Sequence, residues 1–457
     1  MRLRRADLKR RVNGNLALRF SRPGLTSYAG LELVRRYFRE MGLTEKLRRH
    51  LGGTTPGSDY GVAAMVNLLL CLLIVGGRRV RHVLYLRDDP LVERLSGLKR
   101  LPTARSISRW LGEFRVRHLQ GLITLNAEVV EATFARLGLG RLTIDVDGSV
   151  VSTGMKVAWA KRGYNPHRRK VPSYYPITAY EAQSGQIVRV QNRPGNVADG
   201  KASLGFLRDV FAQLGAQGSR RRRLEFRMDA AFFRRDVLEL LDRRGAKYAI
   251  KVPFCSWTGL REIVRTNGKW QRVDAAVSCF ERKLWLKPWQ RELRVVIYRK
   301  RVHHKTRKNF QLDLFDPADG HYEYSAVATT KSIQGPALWS FMNGRSGHEQ
   351  AYGELKHGFA FGSVPSLQYA ANSAWQMISV LAFNLMRGFQ IATGLDRRRT
   401  LVRRRSLFAF QSIQTLRYEL LHRAGVLIRP DGRATLEVGG NPAVRSRFLA
   451  LADRFAA

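Results

Sequence analysis

Two carboxylates that could hold a cation lie close together in a stretch of alternating residues, 141–151. Apolar and polar side chains alternate there, which predicts a β-strand with Asp145 and Asp147 on its polar face, about 6.6 Å apart. Carboxylates on a strand whose other face is apolar are costly unless cations or hydrogen-bond donors neutralise them. The stretch therefore predicts either a cation site or an edge strand with a solvated polar face.

A third carboxylate, Asp229, follows a second predicted strand at residues 224–228. Side chains at the carboxyl end of a strand lie where α/β sheets usually bind their ligands. The alternative is that Asp229 caps the helix that comes next. Its position alone does not decide between a ligand site and a cap.

A predicted helix in the C-terminal part of the chain carries a fourth carboxylate between two cations. The sequence spaces four residues at i, i+4, i+7 and i+11, so they share one helical face: Arg345, Glu349, Tyr352 and Lys356. Ser346 and Glu349 also fit a capping box, which would occupy Glu349 at the start of its own helix. A capping box does not explain why two cations share the stripe, whereas a metal site beside phosphate groups would need both.

The charge of the chain indicates a polyanionic partner. Among 457 residues, 80 are Lys or Arg and 36 are Asp or Glu, a formal net charge of +44. The basic residues occur along the whole chain, including Arg220 to Arg223 and Lys300 to Lys308, as expected for a track along a phosphate backbone. An Arg-rich genome is the alternative explanation for part of the excess.

The other bulk features predict an intracellular protein. The three cysteines, Cys71, Cys255 and Cys279, share no short spacing, which argues against a zinc site and a disulfide framework. An apolar run at 62–75 contains Asn67 and is too short to span a bilayer comfortably, so it predicts a buried helix. We expect a cytoplasmic, nucleoid-associated protein with no membrane segment and no signal peptide.

Changes in the periodicity of apolar residues predict a mixed α/β sheet with helices on both faces, interrupted by a β-rich insertion. Within it, residues 173–181 and 186–193 flank a turn signal and predict a hairpin. The predicted regions are a basic arm and helical DNA-binding region at 1–138, the first part of the α/β domain at 139–253, the insertion at 254–328, the second part of the domain with the Glu349 helix at 329–393, and a basic helical region at 394–457.

One N-terminal helix is a candidate for reading DNA. Residues 103–115 place Ile107, Trp110, Leu111 and Phe114 on one face, and Thr103 can cap the helix. With the preceding turn, this pattern is similar to the second helix of a helix-turn-helix. An ordinary surface helix of a bundle fits it equally well.

Several motifs together resemble one family. They are Leu25-Thr26-Ser27-Tyr28-Ala29-Gly30, Asp147-Gly148-Ser149, Gly163-Tyr164-Asn165-Pro166, Arg193-Pro194-Gly195-Asn196, Asp229, and Arg345 with Glu349 and Lys356. The chain resembles, over most of its length, a bacterial insertion-sequence transposase of the DDE type with an RNase H-like catalytic domain, in the branch with a β-rich insertion before the catalytic Glu. It departs from the family signature at Met342, where the family has Tyr.

The resemblance implies that Asp147, Asp229 and Glu349 are catalytic and hold two Mg²⁺ ions, which Mn²⁺ can replace. Hard divalent cations prefer carboxylate oxygens, and two of them can activate a nucleophile and stabilise a leaving oxygen. Arg345 and Lys356 would contact DNA phosphates, and Asp145 would be an auxiliary acid.

The implied activity is cleavage of the element's terminal inverted repeats and joining of their 3′ ends to target DNA, by a homodimer when DNA is bound. Two alternatives remain open from the residues, an RNase H-like nuclease without strand transfer and a non-catalytic DNA-binding derivative. Members of the family can also stack an insertion aromatic on a flipped base, for which Trp270, Trp285 and Trp289 are candidates, although each fits a core position as well.

Overall fold

The computed structural model describes residues 24–53, 55–163, 165, 168, 170–216, 222–302, 322–399 and 402–455. The predicted basic arm up to residue 23, the basic residues at 303–308, Arg220 and Arg221, and Tyr164 and Pro166 lie outside this part of the chain.

The described residues form both helices and strands. The helices are α1 (Leu31–Glu40), α2 (Leu43–Leu51), α3 (Val62–Ile74), α4 (Pro90–Ser96), α5 (Ala104–Gly112), α6 (Leu119–Leu137), α7 (Asp199–Ala216), α8 (Arg235–Arg243), α9 (Leu260–Thr266), α10 (Gly335–Asn343), α11 (Ser346–Gly358), α12 (Tyr369–Ala392), α13 (Ile413–Leu416) and α14 (Pro442–Arg454). The strands are β1 (Leu25–Thr26), β2 (Arg141–Gly148), β3 (Val151–Ser152), β4 (Ser173–Tyr174), β5 (Ile177–Glu181), β6 (Gln186–Gln191), β7 (Arg223–Met228), β8 (Lys247–Val252), β9 (Gln271–Arg272), β10 (Val277–Leu286), β11 (Arg291–Arg301), β12 (Tyr322–Thr329), β13 (Gly425–Ile428) and β14 (Thr435–Val438).

A nine-stranded mixed sheet organises the molecule, with strand order β6-β5-β2-β7-β8-β12-β11-β10-β9. Strands β2, β7 and β8 pair in parallel, whereas β5 and β6 pair antiparallel at one side. If β2, β5, β6, β7 and β8 are numbered 1 to 5 in chain order, their order in the sheet is 3-2-1-4-5, and strand 2 runs antiparallel to strand 1. This is the arrangement of an RNase H-like fold. The predicted mixed α/β class is therefore confirmed.

The local patterns that predicted β2 and the hairpin are confirmed. The apolar side chains Leu142, Ile144 and Val146 of β2 are fully buried against helices of one layer. The predicted hairpin is β5 and β6, and its turn contains Gly185 at φ +71°, a conformation that glycine adopts without strain.

The β-rich insertion predicted at 254–328 continues the central sheet instead of forming a sheet of its own. Strand β12 pairs antiparallel with β8, with Ala326 opposite Val252. Strands β11, β10 and β9 follow in turn, and β10 pairs with β11 along its whole length.

The N-terminal helices and α12 share one hydrophobic core on the other side of the sheet. Helix α3 is buried from Met65 to Ile74, and α12 is buried over most of its 24 residues. Across the described ranges, no helix is both long and apolar enough to cross a membrane. The predicted inward face of α5 is confirmed, and Thr103 Oγ1 accepts a hydrogen bond from the Ser106 amide at 3.1 Å.

The C-terminal region, predicted as helical at 394–457, contains helices α13 and α14 but also non-helical segments and strands. Residues 402–412 form no helix, α13 has four residues, and a short π-helical turn spans Arg417–Leu421. Beyond it, β13 pairs with β14 and with β1, where Val426 lies opposite Leu25. The two ends of the described chain therefore meet in one small sheet.

Candidate active site

Two of the predicted acidic residues lie side by side at the carboxyl ends of neighbouring parallel strands. Asp145 of β2 is opposite Arg227 of β7 in the parallel register. Two residues further along each strand, that register reaches Asp147 and Asp229. The fold therefore brings together residues 82 positions apart, because β2 and β7 are adjacent although α7 and a hairpin separate them in sequence.

Asp147 is surrounded by charge. Its Oδ2 lies 2.9 Å from Arg345 Nη2, and its Oδ1 accepts the Gly148 amide at 2.9 Å. Burial raises the pKa of Asp147 to about 7 despite the opposing charge of Arg345, and the charges of Asp229 and Asp199 add to the rise. Burial and the neighbouring carboxylates therefore disfavour the ionised form of Asp147, which a bound cation would stabilise.

Asp229 caps a short helix, which is one of the two roles predicted for it. Its Oδ1 accepts the Ala231 amide at 3.0 Å, so it caps the short 3₁₀ helix Ala230–Phe232. Burial also raises the pKa of Asp229, against the opposing charge of Arg345. Capping uses one carboxylate oxygen and leaves the second for a ligand.

Helix α11 begins one residue after Arg345 and carries Glu349 without the predicted capping box. Ser346 Oγ donates to the carbonyl of Asn343, and Arg345 occupies the cap position without a side-chain cap. Within the described ranges, the exposed Glu349 carboxylate forms no hydrogen bond or ion pair. The negative charge of Glu349 nevertheless raises the pKa of Arg345. The Glu349 carboxylate is therefore near Arg345 and can bind a ligand of the site.

Arg345 is the common neighbour of the acidic residues. Burial lowers the pKa of this guanidinium, but Asp147, Asp229, Asp145 and Glu349 together outweigh that effect and raise it. The side chain is 14% exposed, so its charge acts at short range on the carboxylates.

Two further side chains of α11, both from the predicted helical stripe, contact backbone oxygens at the end of β2 and just beyond it. The Tyr352 hydroxyl donates to the Asp147 carbonyl oxygen at 3.0 Å, and Lys356 Nζ donates to the Val150 carbonyl oxygen at 3.0 Å. Burial lowers the pKa of Lys356. Both cations predicted to bind phosphate thus lie at the site, held by protein oxygens.

A polar group behind α11 fixes the position of Tyr352. Thr178 of β5 donates to the Tyr352 hydroxyl at 2.8 Å and lies 2.7 Å from His348 Nε2. The His348 ring stacks between Tyr180 and Tyr352, and burial lowers its pKa well below the usual value. The imidazole is therefore neutral near pH 7.

Asp145, predicted as an auxiliary acid, is bound on both oxygens by another residue. Arg227 Nε lies 2.5 Å from Asp145 Oδ1 and Nη2 lies 2.7 Å from Oδ2, with both side chains fully buried. Arg227 also donates to the carbonyls of Phe341, Arg403 and Arg404. This pairing favours a structural role for Asp145 beneath the site over a role at the metal.

Asp199 is a residue of the site that the sequence did not indicate. Tyr175 Oη donates to its Oδ2 at 2.8 Å, and Arg193 Nη2 lies 2.5 Å from its Oδ1. A Cβ at Gly148 would lie 2.7 Å from Asp199 Oδ1 and 2.6 Å from the Tyr175 ring, so this position requires glycine. The available signal was the motif Arg193 to Asn196, which precedes Asp199 by three residues.

The three candidate tryptophans of the insertion differ in their surroundings. Trp270 packs edge-on against Phe280 and lies under Arg299, and Trp289 packs against Phe233. Trp285 on β10 is 52% exposed. Of these three tryptophans, Trp285 is the one that is exposed and also lies on a strand of the insertion.

The chemistry of the donor set fits a hard divalent cation. Asp147, Asp229 and Glu349 offer only oxygen ligands, and the raised pKa of Asp147 marks negative charge that a cation would neutralise. Among the described residues, no three acidic, histidine or cysteine side chains are grouped closely enough to hold a metal ion. The three carboxylates are therefore farther apart than the ligands of one bound ion. An ion bound by all three would draw them closer together.

The strand order and the paired carboxylates at the ends of β2 and β7 place the molecule in the RNase H-like class of α/β proteins. Residues 9–457 match the family model described as "Transposase DDE domain group 1". The chain therefore belongs to this family of DDE transposases.

The solved structures that this chain resembles have low sequence identity to it. The piggyBac transposase synaptic complex with hairpin DNA is 10% identical, with a TM-score of 0.42 over 88% of this chain and 83% of that chain. The Mos1 transposase paired-end complex with left transposon end is 12% identical, with a TM-score of 0.18 over 40% of this chain and 59% of that chain. No curated protein matches the chain in sequence.

Proposed function

We propose that this chain is the transposase of a bacterial insertion sequence. It binds the terminal inverted repeats of its element, cleaves phosphodiester bonds there, and joins the 3′ ends to target DNA. The observation that carries the proposal is the placement of Asp147 and Asp229 on adjacent strand ends, under Arg345 of the helix that bears Glu349. Family membership and a net charge of +44 support the choice of DNA as substrate.

In this proposal Asp147, Asp229 and Glu349 hold two Mg²⁺ ions, or Mn²⁺ in their place. When bound, the ions would supply activation of the attacking oxygen and stabilisation of the leaving one. The carboxylates must be ionised to serve as ligands, so the raised pKa of Asp147 makes metal binding weaker as the pH falls below about 7.

Arg345 and Lys356 orient the DNA in the same proposal. A guanidinium can exchange one carboxylate for a phosphate oxygen of similar geometry, so Arg345 can turn from Asp147 to the strand being cut. Lys356 can exchange the Val150 carbonyl for a phosphate in the same way. A homodimer is proposed for the DNA-bound state, because both ends of an element must be cut and joined together.

The test is metal-dependent cleavage of DNA that carries the element's ends. Asp147→Ala, Asp229→Ala and Glu349→Ala should each lower cleavage by a factor of at least about 10³, while affinity for the same DNA stays within a few-fold. Asp453→Ala, which removes an exposed carboxylate on α14, is the matched control and should cut at the rate of the unaltered chain. If any one of the three variants cleaves DNA at the normal rate, the residue that it replaces is not a catalytic residue.

Strand transfer is tested separately with pre-cut ends, plasmid and Mg²⁺. Joined products are expected from the transposase. Cleavage without joining would instead indicate an RNase H-like nuclease, and DNA binding without cleavage would indicate a non-catalytic derivative.

A further inference from the structure

A cleft lies on the side of α11 that faces away from Glu349. Its walls are α11, Arg387 of α12, Arg398, and several residues between 403 and 414, and its volume is about 630 Å³. That volume is typical of sites that bind organic ligands. The residues of α11 that line it include Gln350, Glu354 and His357, which lie on the helical face opposite to the stripe of Arg345 and Glu349.

The lining of the cleft is strongly cationic. Four arginines and one histidine line it, against a single carboxylate, that of Glu354. They are Arg387, Arg398, Arg403, Arg405 and His357. Among the described residues, the exposed side chains of Arg398, Arg403 and Arg405 form no ion pair and no hydrogen bond, so their charges are available to a ligand.

The floor of the cleft contains a guanidinium with unused donors. Arg387 stacks on the rings of Phe383 and Phe410, 4.8 and 4.4 Å from their centroids, and one of its nitrogens binds Glu354. Its Nε and Nη1 are buried and have no acceptor among the described residues. Buried donors without acceptors are unfavourable, and an anion that reached this floor would supply them.

The cleft is fixed to the catalytic centre through its rim. Arg227 donates to the carbonyls of Arg403 and Arg404 while it binds Asp145, two residues before Asp147. Arg404 in turn donates to Glu225 of β7 at 3.2 Å. The cationic rim therefore has a set position relative to the site of Asp147 and Asp229.

We propose that this cleft binds the sugar-phosphate backbone of a DNA strand that continues from the catalytic site around the back of α11. The choice of DNA as the source of the phosphates rests on the proposed function. Arginine suits this role because its planar donor fork matches phosphate oxygens, and because successive backbone phosphates can occupy several arginines at once.

The experiment measures DNA binding by the full chain as a function of salt. The double variant Arg398→Glu/Arg405→Glu changes two exposed cleft arginines, and Arg433→Glu/Arg445→Glu makes the same charge change at exposed positions of the C-terminal region outside the cleft. Fluorescence anisotropy with a labelled duplex and a labelled single strand gives the affinity at each salt concentration.

Each phosphate contact contributes about 0.9 to the slope of log affinity against log salt for duplex DNA. We expect the cleft variant to lose about 2 from the magnitude of that slope and at least tenfold in affinity at low salt, with the control variant close to the unaltered chain. Unchanged melting temperatures for both variants would show that the fold is intact.

Equal slopes for the two variants would overturn the proposal. That result would also be obtained if the cleft binds a free nucleotide or a peptide instead of DNA. Mg²⁺-dependent cleavage by the unaltered chain is measured in the same preparation. A smaller slope for the cleft variant, with no cleavage by the unaltered chain, would support DNA binding in the cleft and contradict the proposed function. Cleavage by the unaltered chain, with equal slopes for the two variants, would contradict DNA binding in the cleft and keep the proposed function.

Discussion

At the scale of single residues, two carboxylates on one strand have opposite environments. Asp145 is fully buried and is bound on both oxygens by Arg227, although burial still raises its pKa. Asp147 shares its one cation, Arg345, with three other carboxylates. The first residue stabilises the sheet beneath the site, and the second leaves negative charge for a cation to neutralise.

Breaking the buried pair should destabilise the protein strongly. Arg227→Met leaves the Asp145 carboxylate buried without a partner, which costs about 3–5 kcal/mol. Urea unfolding followed by circular dichroism measures the loss. The control is Arg235→Ala, which removes an exposed ion pair to Glu239 and should cost less than about 1 kcal/mol. Similar losses in the two variants would contradict the structural role given to Asp145.

Removing the charge of Asp147 should stabilise the protein at alkaline pH. Its folded pKa of about 7 lies above the ordinary value of 3.8, so its ionisation destabilises the fold as the pH rises between those values. We expect Asp147→Asn to raise Tm by about 2 to 6 °C at pH 8 and to leave it unchanged at pH 4.

Differential scanning calorimetry in the absence of divalent cations measures this shift. Asp453→Asn, at an exposed position, should change Tm at neither pH. A lower Tm for Asp147→Asn at pH 8 would mean that its ion pair with Arg345 outweighs the effect of burial.

At the scale of elements, helix α11 is attached to the end of β2 by three side chains of one face. Arg345 contacts the Asp147 carboxylate, Tyr352 contacts its carbonyl oxygen, and Lys356 contacts the Val150 carbonyl oxygen. Tyr352 is a positioning residue in this arrangement, since it acts on the backbone of Asp147 and not on a ligand.

Tyr352→Phe removes the hydroxyl and keeps the ring that stacks on His348. We expect cleavage to fall by about 10- to 100-fold and the Mg²⁺ concentration for half-maximal cleavage to rise, with little change in Tm. Tyr418→Phe, at a residue 79% exposed, is the matched control and should be inert. An unchanged Mg²⁺ dependence in Tyr352→Phe would assign the hydroxyl a purely structural role.

Elements formed by local patterns could be predicted from the sequence, whereas long-range partners could not. The alternation at 141–151 predicted strand β2, which spans 141–148, and the stripe of Arg345, Glu349 and Lys356 followed from helical spacing. The partner of Asp145 lies 82 residues away on another strand, and no local signal marks it. Asp199 resembled the ordinary first acid of a helix until the fold placed it beside Gly148.

The C-terminal region shows a second reason for failure. Arginine is a good helix former, so the Arg-rich sequence before residue 412 favoured a helix on propensity alone. In the structure, the carbonyls of Arg403 and Arg404 accept hydrogen bonds from Arg227 instead of from a following helical turn. Tertiary hydrogen bonds outweigh local propensity here.

At the scale of the whole molecule, the end of the chain closes onto its beginning. Strand β13 pairs with β1, and Phe455 packs on Tyr37 of α1 and Phe389 of α12, with ring centroids 5.9 and 5.8 Å apart. The N-terminal helices therefore depend on the last residues of the chain for part of their core.

Phe455→Ala should destabilise the protein by about 3–5 kcal/mol, because Phe455 is 3% exposed and its removal leaves a cavity between α1 and α12. Leu449→Ala, on the same helix α14 but 53% exposed, should cost less than about 0.5 kcal/mol. Chemical denaturation of both variants checks the difference. Equal stabilities would show that α14 contributes nothing to the shared core.

The contacts of Arg227 with Arg403 and Arg404 also give an order in which parts of the site can form as the chain is synthesised. Asp145, Asp147 and Asp229 are made before residues 403 and 404, whose carbonyls accept hydrogen bonds from Arg227. At about 5–20 residues per second, the 403 − 229 = 174 residues between Asp229 and Arg403 take about 9 to 35 s. Arg227 lacks these two acceptors during that interval, so the hydrogen bonds that hold it beneath Asp147 and Asp229 are completed only after residue 404 has been made.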